Sequence, residues 1–210
     1  MSLTLRYMSV PDIQQVVSID RVAFDPPWSA RSYAYEITES TYSHMMVLES
    51  IPDAERPTNP WKRLMQNLSG GGVPIDPQIV AYGGLWKVVD EAHISTVATH
   101  PDFRGRGWGE IALLGMVRKS LSLGAAYVVL EVRISNTTAQ NLYLKHGFVT
   151  HGIKKRYYHN NGEDAYDMRL DLLADDAREN VEQKFSDAVQ RHRFADHYTT
   201  ATNPAVSTVE

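Results

Sequence analysis

Three glycines at alternate positions stand beside two arginines in 104-RGRGWGEIALLGMV-117, directly ahead of an apolar run of helical character. Glycine costs a helix stability and costs the chain entropy. Bare backbone at Gly105, Gly107 and Gly109 therefore implies something that must approach closely. The first amides of a helix lack intrahelical acceptors and lie at the positive end of its dipole. With a glycine loop before them they make a site for an anion. The plainer alternative is a tight strand-to-helix turn with no ligand. No Gly-Lys-Ser/Thr is present, as a Walker loop needs, and Gly105-x-Gly107-x-x arrives at Glu110 where the dinucleotide fingerprint needs glycine; both absences weaken a nucleotide reading.

Other residues could move protons. Glu131 is the one charged residue in Tyr127-Val128-Val129-Leu130-Glu131-Val132, a run apolar on both faces, as in a strand covered on both sides. A carboxylate there is costly unless paired or solvated in a cleft. Burial would raise its pKa toward useful basicity. The alternative is a structural glutamate paired with Arg133, Lys154 or Arg156. Tyr143 follows on the next helical segment, spaced with Ala139 and Leu142 as a core aromatic would be. His93, His100, His146 and His151 lack the HExxH kind of metal spacing and read as structural or exposed; no metal is expected.

The elements that must position these residues follow from period and punctuation. Leu3–Met8 reads as a strand, and Ser9-Val10-Pro11-Asp12 opens a helix that runs to Phe24. The 25-DPPWS-29 run breaks it, and Ser29 caps a second helix to about Thr41. His44–Glu49, Ile79–Val88, Ala92–Thr99 and Tyr127–Ile134 are further strands. The glycine loop leads a helix to about Leu123. Asn136 caps another through Lys145, stopped by Gly147. Phe148–Tyr158 and Ala165–Leu172 form a hairpin around 160-NNGED-164. This alternation predicts a mixed α/β fold with one central sheet. Residues 51–78 hold five prolines and a Gly-Gly-Gly and read as an inserted loop, with one helical turn at Trp61–Leu68. The expected core domain is 1–173. Beyond it, 174–210 reads as a peripheral helix over Ala174–Arg193 and a flexible tail.

These segments carry a family resemblance. Arg104-Gly105-Arg106-Gly107-Trp108-Gly109 is similar to the R/Q-x-x-G-x-G/A signature of the GNAT acetyltransferase superfamily, and 94-ISTVATH-100 leads into it through Pro101-Asp102-Phe103 as in that family. Downstream, 130-LEVRISNTTAQNLYLKHGF-148 and 155-KRYYHNNGEDAYDM-168 resemble blocks of its RimI-type N-terminal acetyltransferases, as does 24-FDPPWS-29 near the front. The resemblance covers roughly Leu3–Leu172 in order; the 51–78 insertion and the C-terminal extension depart from it. It implies a GNAT fold with six or seven strands and acetyl-CoA as cosubstrate. The diphosphate would lie on the amides of Arg104 through Gly109, and the pantetheine arm beside Val97, Ala98, Thr99 and Asn136.

Acetyl transfer to an amine needs a proton removed from the ammonium, an oxyanion stabilised and a thiolate protonated. An α-amino group titrates at about 7.7–8.0, well below the roughly 10.4 of lysine, and so needs only a modest base. The resemblance assigns the base to Glu131 and the acid to Tyr143. It places a peptide N-terminus between Phe24, Pro27 and Trp28 on one side and Tyr157 and Tyr158 on the other. The implied reaction is direct acetylation of an N-terminal alanine or small residue, in the prototype of a small-subunit ribosomal protein. The rivals are an acetyltransferase of a small amine (polyamine, amino sugar or antibiotic) and a non-catalytic acetyl-CoA-binding module.

Composition sets the remaining bounds. With no cysteine there is no disulfide, thiolate zinc site or cysteine nucleophile. This suits direct transfer and a cytoplasmic setting. A net charge of −4 gives no global case for nucleic acid. No run approaches the roughly 18 apolar residues of a membrane span, and the first residues, MSLTLRYMSVPD, lack the apolar stretch of a signal peptide. No membrane or nucleic-acid partner is expected, and oligomeric state is not fixed by these features.

Overall fold

The computed structural model describes residues 2–51 and 78–205. The β-rich segments form strands β1 (Ser2–Tyr7), β2 (Ser43–Ile51), β3 (Gln78–Val88), β4 (Glu91–Thr99), β5 (Tyr127–Arg133), β6 (Val149–Tyr158), β7 (Glu163–Asp171) and β8 (Phe194–His197). Among the described residues they build one mixed sheet in the order β6-β7-β5-β4-β3-β2-β1-β8. The helices are α1 (Ile13–Ala23), α2 (Ala30–Thr38), α3 (Trp108–Ser122), α4 (Thr137–Lys145) and α5 (Ala177–His192). The expected α/β class with one central sheet is observed, with eight strands where six or seven were expected. The insertion expected over 51–78 lies outside the described residues, except that Ile51 ends β2 and Gln78 begins β3.

Two apolar clusters sit on the sheet. One gathers α3, α5 and the residues facing them, including Ile111, Leu114, Val128, Leu130, Val132, Phe148 and Phe185. The other gathers Val16, Ile19 and Tyr33 from α1 and α2 against Met45, Val47 and Tyr82. A buried polar knot fixes the α1–α2 junction. Tyr33 and Tyr82 both donate their hydroxyls to Asp20, and the Trp28 amide donates to its other oxygen at 2.5 Å. Satisfying a buried carboxylate this way offsets its desolvation.

The centre of the sheet opens. β4 and β5 run parallel, but pairing covers only Glu91–His93 against Tyr127–Val129. β4 continues to Thr99 and β5 to Arg133 without each other. A bulge lies at the same place: Ile94 faces Leu85 and Thr96 faces Gly84, which leaves Ser95 as the extra residue. A bulge bends its strand and reverses which face later residues take. Here Ala92 and Ile94 belong to the α3 cluster, whereas Ala98 belongs to the α1–α2 cluster.

The C-terminal extension corrects an expectation. The segment after Arg193, read as a flexible tail, forms β8 and pairs parallel with β1, Leu3 opposite Phe194 through Arg6 opposite His197. Tyr198, Thr199, Asn203 and Ala205 are buried. The Tyr198 hydroxyl donates to the His44 carbonyl at 2.9 Å and Asn203 Nδ2 to the Ser43 carbonyl at 2.8 Å. The physical reason is an otherwise open β1 edge, whose unpaired backbone groups β8 satisfies. Helix α5 is not peripheral either, since Val181, Phe185 and Ala188 pack in the main cluster.

Candidate active site

The glycine loop follows β4 through a short 3-10 turn, Pro101–Phe103, and ends at α3. Gly105 has φ +75° and Gly107, the N-cap, φ +82°, a region that side chains disfavour and glycine tolerates. A side chain at Gly105 would meet nothing within 4 Å. The loop backbone is thus approachable at Gly105, and of the first-turn amides of α3 the Glu110 amide already donates to the Gly107 carbonyl at 3.1 Å, which leaves those of Trp108 and Gly109 for a ligand. Arg106 lies over the Phe103 and Trp108 rings, 5.2 and 5.4 Å from their centroids. Arg104 Nε donates to the Thr99 carbonyl at 3.4 Å. Trp108 is buried in the core, so its backbone is what the loop can offer. Gly109 lies against Thr99, whose Oγ1 would be 3.0 Å from an added Cβ.

Val97 packs on the α3 cluster and Ala98 is buried in the other. What this stretch of β4 presents to the opening is backbone without a β5 partner, as an extended pantetheine chain requires. Asn136 Oδ1 accepts from the Ala139 amide at 3.1 Å and caps α4. These features fit acetyl-CoA, with Gly105 to Gly109 and the α3 amides for the diphosphate and Val97 to Thr99 beside the arm.

Glu131 lies on β5 where the strands part, with its side chain 9% exposed. One oxygen is 2.8 Å from His93 Nε2 and the other is paired with Lys154 Nζ. Burial pushes its pKa up, but the His93 and Lys154 hydrogen bonds and charges outweigh burial and bring it from 4.5 down to about 2. The expectation of a raised pKa is therefore corrected: the structural pairing foreseen with Lys154 occurs, and His93 adds to it. His93 had no role assigned from sequence. Its ring meets Trp86 edge-on at 5.6 Å, and Trp86 stacks on Trp28 at 6.1 Å. Aromatic contacts thus join Trp28 to the Glu131 pair.

Tyr143, on α4, is buried against Phe148. Burial holds its phenol well above the ordinary value, and Tyr158 nearby adds to this. The core packing expected of Tyr143 is observed, with a hydroxyl that stays protonated. Tyr157 and Tyr158 would point to opposite faces of a regular strand. Instead the ladder shifts between Lys154 and Tyr158, Arg156 adopts φ +52°, and its amide donates to Asp164 Oδ1 at 2.8 Å. The two rings come 5.2 Å apart. Burial, then the charge of Glu131, raises the Tyr157 pKa; burial brings Tyr158 to about 12 despite Arg133. Arg133 lies 3.7 Å from the Tyr158 ring centroid and holds Asn160, Asn161 and Glu163 of the hairpin.

Phe24 and Pro27 are exposed and Trp28 half-buried. Asn160 Nδ2 donates to Asp25 Oδ2 at 3.1 Å, bringing the 24–28 junction against the tyrosine hairpin. The structure therefore gathers Glu131, Tyr157, Tyr158 and the Phe24–Trp28 junction at one end of the opening, with Tyr143 behind Tyr158. Sequence reasoning missed the role of His93 and the Asp25–Asn160 link. For His93, its place on the strand preceding the glycine loop was the available signal.

Residues 13–148 match the acetyltransferase (GNAT) family. The chain belongs to this family of acetyltransferases. It is 34% identical over 164 residues to a candidate [ribosomal protein bS18]-alanine N-acetyltransferase of Bacillus subtilis, covering 78% of this chain and 92% of that one. It is 36% identical over 98 residues to the N-alpha-acetyltransferase RimI of Mycobacterium tuberculosis, covering 44% of this chain and 60% of that one. The crystal structure of the ribosomal-protein-S18-alanine N-acetyltransferase from Escherichia coli superposes with a TM-score of 0.60 at 25% identity, over 81% of this chain and 94% of that one.

Proposed function

We propose that this protein acetylates the α-amino group of a protein N-terminus that begins with alanine or another small residue, a ribosomal protein being the first candidate. The observation that carries the reading is the tyrosine pair. A shift in the β6–β7 ladder turns Tyr157 and Tyr158 together beside Glu131, opposite the Phe24–Trp28 junction. Hydroxyls so placed can hold the N–H and C=O of a peptide bond, an amide that a polyamine or amino sugar lacks. The Bacillus subtilis and Mycobacterium tuberculosis relatives bear the names of N-terminal acetyltransferases, which supports the reading.

Acetyl-CoA, when bound, supplies the thioester from which the amine takes its acetyl group. The chain's own residues do the rest. Glu131, ionised at neutral pH, attracts the cationic N-terminus into the opening. An α-amine of pKa about 7.7–8.0 is already partly neutral there, so the proton to be removed is weakly held. The Glu131–His93 pair accepts it, directly or through a water. Tyr143, kept protonated by burial, donates a proton toward the sulfur. Aromatic walls from Trp28 and Tyr158 exclude water.

The test is acetyl transfer from acetyl-CoA to a panel of N-terminal peptides, lysine peptides and spermidine, read by mass spectrometry. Peptides beginning with alanine or serine should react at the α-amine. Lysine side chains should react far less, since about 10²–10³-fold less of that amine is free at neutral pH. Tyr158→Phe should raise peptide KM more than it weakens acetyl-CoA. Faster acetylation of spermidine than of every peptide would overturn the reading in favour of a small-amine acetyltransferase. Absence of any turnover would favour a binding module.

A further inference from the structure

The C-terminal extension reaches the glycine loop. Gly105 and Gly107 share the same left-handed backbone, yet their surroundings differ. A Cβ at Gly105 would meet open space, whereas one at Gly107 would fall 2.7 Å from His192 Cε1 and 2.9 Å from its Nε2. His192 is the last residue of α5 and lies outside the span that matches the family. Its ring rests on the N-cap of α3, where the anion site is. Its Nε2 is buried without a hydrogen-bond partner. Buried polar atoms without partners are uncommon in folded proteins, and each asks for a reason.

The placement is held from several directions. Helix α5 packs along α3 through Phe185 and Ala188 in the shared core. Arg118 of α3 lies 4.7 Å from the Phe185 ring centroid and is 2.9 Å from Glu182. At the loop end, Arg191 is 3.5 Å from Glu110 in the first turn of α3. Arg193 closes α5 at φ +52°, its amide donating to the Val189 carbonyl at 2.8 Å, and turns the chain into β8. A non-glycine residue in that conformation is strained, and the β8–β1 pairing that follows holds it there. His192 is thus held by its flanks while its own Nε2 has nothing to bind.

We propose that His192 is a cofactor-binding residue, its Nε2–H donating to the diphosphate that the glycine loop holds, so that the C-terminal extension completes the acetyl-CoA site. This rests on the reading of the loop as the acetyl-CoA site. It gives Gly107 two jobs: it reaches the left-handed turn, and it leaves room for a ring from a distant part of the chain. The chemical class recognised is a diphosphate ester; the thiol end of the cofactor is not involved.

Calorimetry with unacetylated CoA, ADP and pantetheine tests it without turnover. Wild-type protein should bind CoA, and failure to do so would remove the cofactor reading itself. His192→Ala should weaken CoA and ADP about tenfold or more, as expected for one lost charge-assisted hydrogen bond. Pantetheine, which carries no phosphate, should compete equally well in both proteins. His192→Gln keeps an N–H donor and should recover part of the loss. CoA affinity within twofold of wild type in a folded His192→Ala protein would overturn the proposal. So would an equal loss for CoA and pantetheine, which would mean that His192 only props the loop.

Discussion

At the scale of single residues, the state of Glu131 decides what the rate should do with pH. Its pKa near 2 means it is ionised throughout the working range, so no limb near neutrality belongs to it. Glu131→Gln should lower turnover by about 10²–10⁴-fold. The neutral limb should survive in the residual activity and follow the pKa of the peptide amine. A limb that vanished in the variant would show that acetyl-CoA or peptide binding returns Glu131 to ordinary basicity. Stability gives the matching check. A carboxyl depressed from 4.5 to about 2 contributes stability that is fully present above about pH 5 and is lost as pH falls toward 2. Wild-type melting temperature should therefore fall more steeply than that of Glu131→Gln between pH 5 and 2, and run parallel above it. The sequence showed Glu131 as an unusual carboxylate and Tyr143 as a helical aromatic, and the family resemblance gave them roles. Of the partners of Glu131, Lys154 was among those foreseen, but His93 was not legible. His93 meets Glu131 only because β4 and β5 are parallel neighbours at that point, a fact of register between strands far apart in the chain. The resemblance pointed to the tyrosine pair, but how its two rings come together depends on a ladder shift at Arg156, where nothing in the residue type calls for a positive φ.

At the scale of elements, the turn into α3 offers a paired comparison. Gly105→Ala and Gly107→Ala place the same methyl on the same left-handed backbone, at roughly 1–2 kcal/mol each. Only the second also displaces the His192 ring. Gly107→Ala should therefore melt lower than Gly105→Ala, and the excess should disappear when both are made in a His192→Ala background. A double-mutant cycle isolates that term; an excess that persisted would mean the loop itself, not His192, limits the site. Caps and stops at this scale were readable: Ser29 Oγ accepts from Ser32 N at 3.0 Å, Asn136 caps α4, and Gly147 takes φ +95° after it. Such signals are local chemistry and need no partner. The Ser95 bulge and the parting of β4 from β5 were not readable, because they are properties of strand pairs. Yet they are what opens the sheet, frees β4 backbone for a ligand and puts Glu131 at the mouth.

At the scale of the whole molecule, the extension behaves as part of the fold. The sequence suggested otherwise because Phe194, Tyr198 and Ala205 are spaced too widely among polar residues to show a period, and a strand of four residues is too short to announce itself. Its contribution lies in closing what the rest leaves open. Lys119 on α3 is buried, and its ammonium donates to the Ala201 carbonyl at 2.6 Å. Arg118 beside it is held by Asp196 at 3.1 Å and Thr199 at 2.6 Å. Burial lowers the Lys119 pKa, with Asp196 opposing, so the ammonium depends on the few acceptors it has. Deleting Thr199–Glu210 removes the Ala201 carbonyl, the Thr199 hydroxyl and the Asn203 bond to Ser43 together. Each lost partner of a buried polar group costs about 1–3 kcal/mol. A chain of this size loses roughly 2–4 °C of Tm per kcal/mol. The truncated protein should melt about 5 °C lower or more. If His192 also serves the diphosphate, the same truncation should weaken CoA, because β8 would no longer be anchored beyond Tyr198 and α5 would lose its hold on the loop. A truncated protein with unchanged Tm would show that β8 and α5 are secured by the Phe185–Phe194 packing alone, their rings 5.7 Å apart.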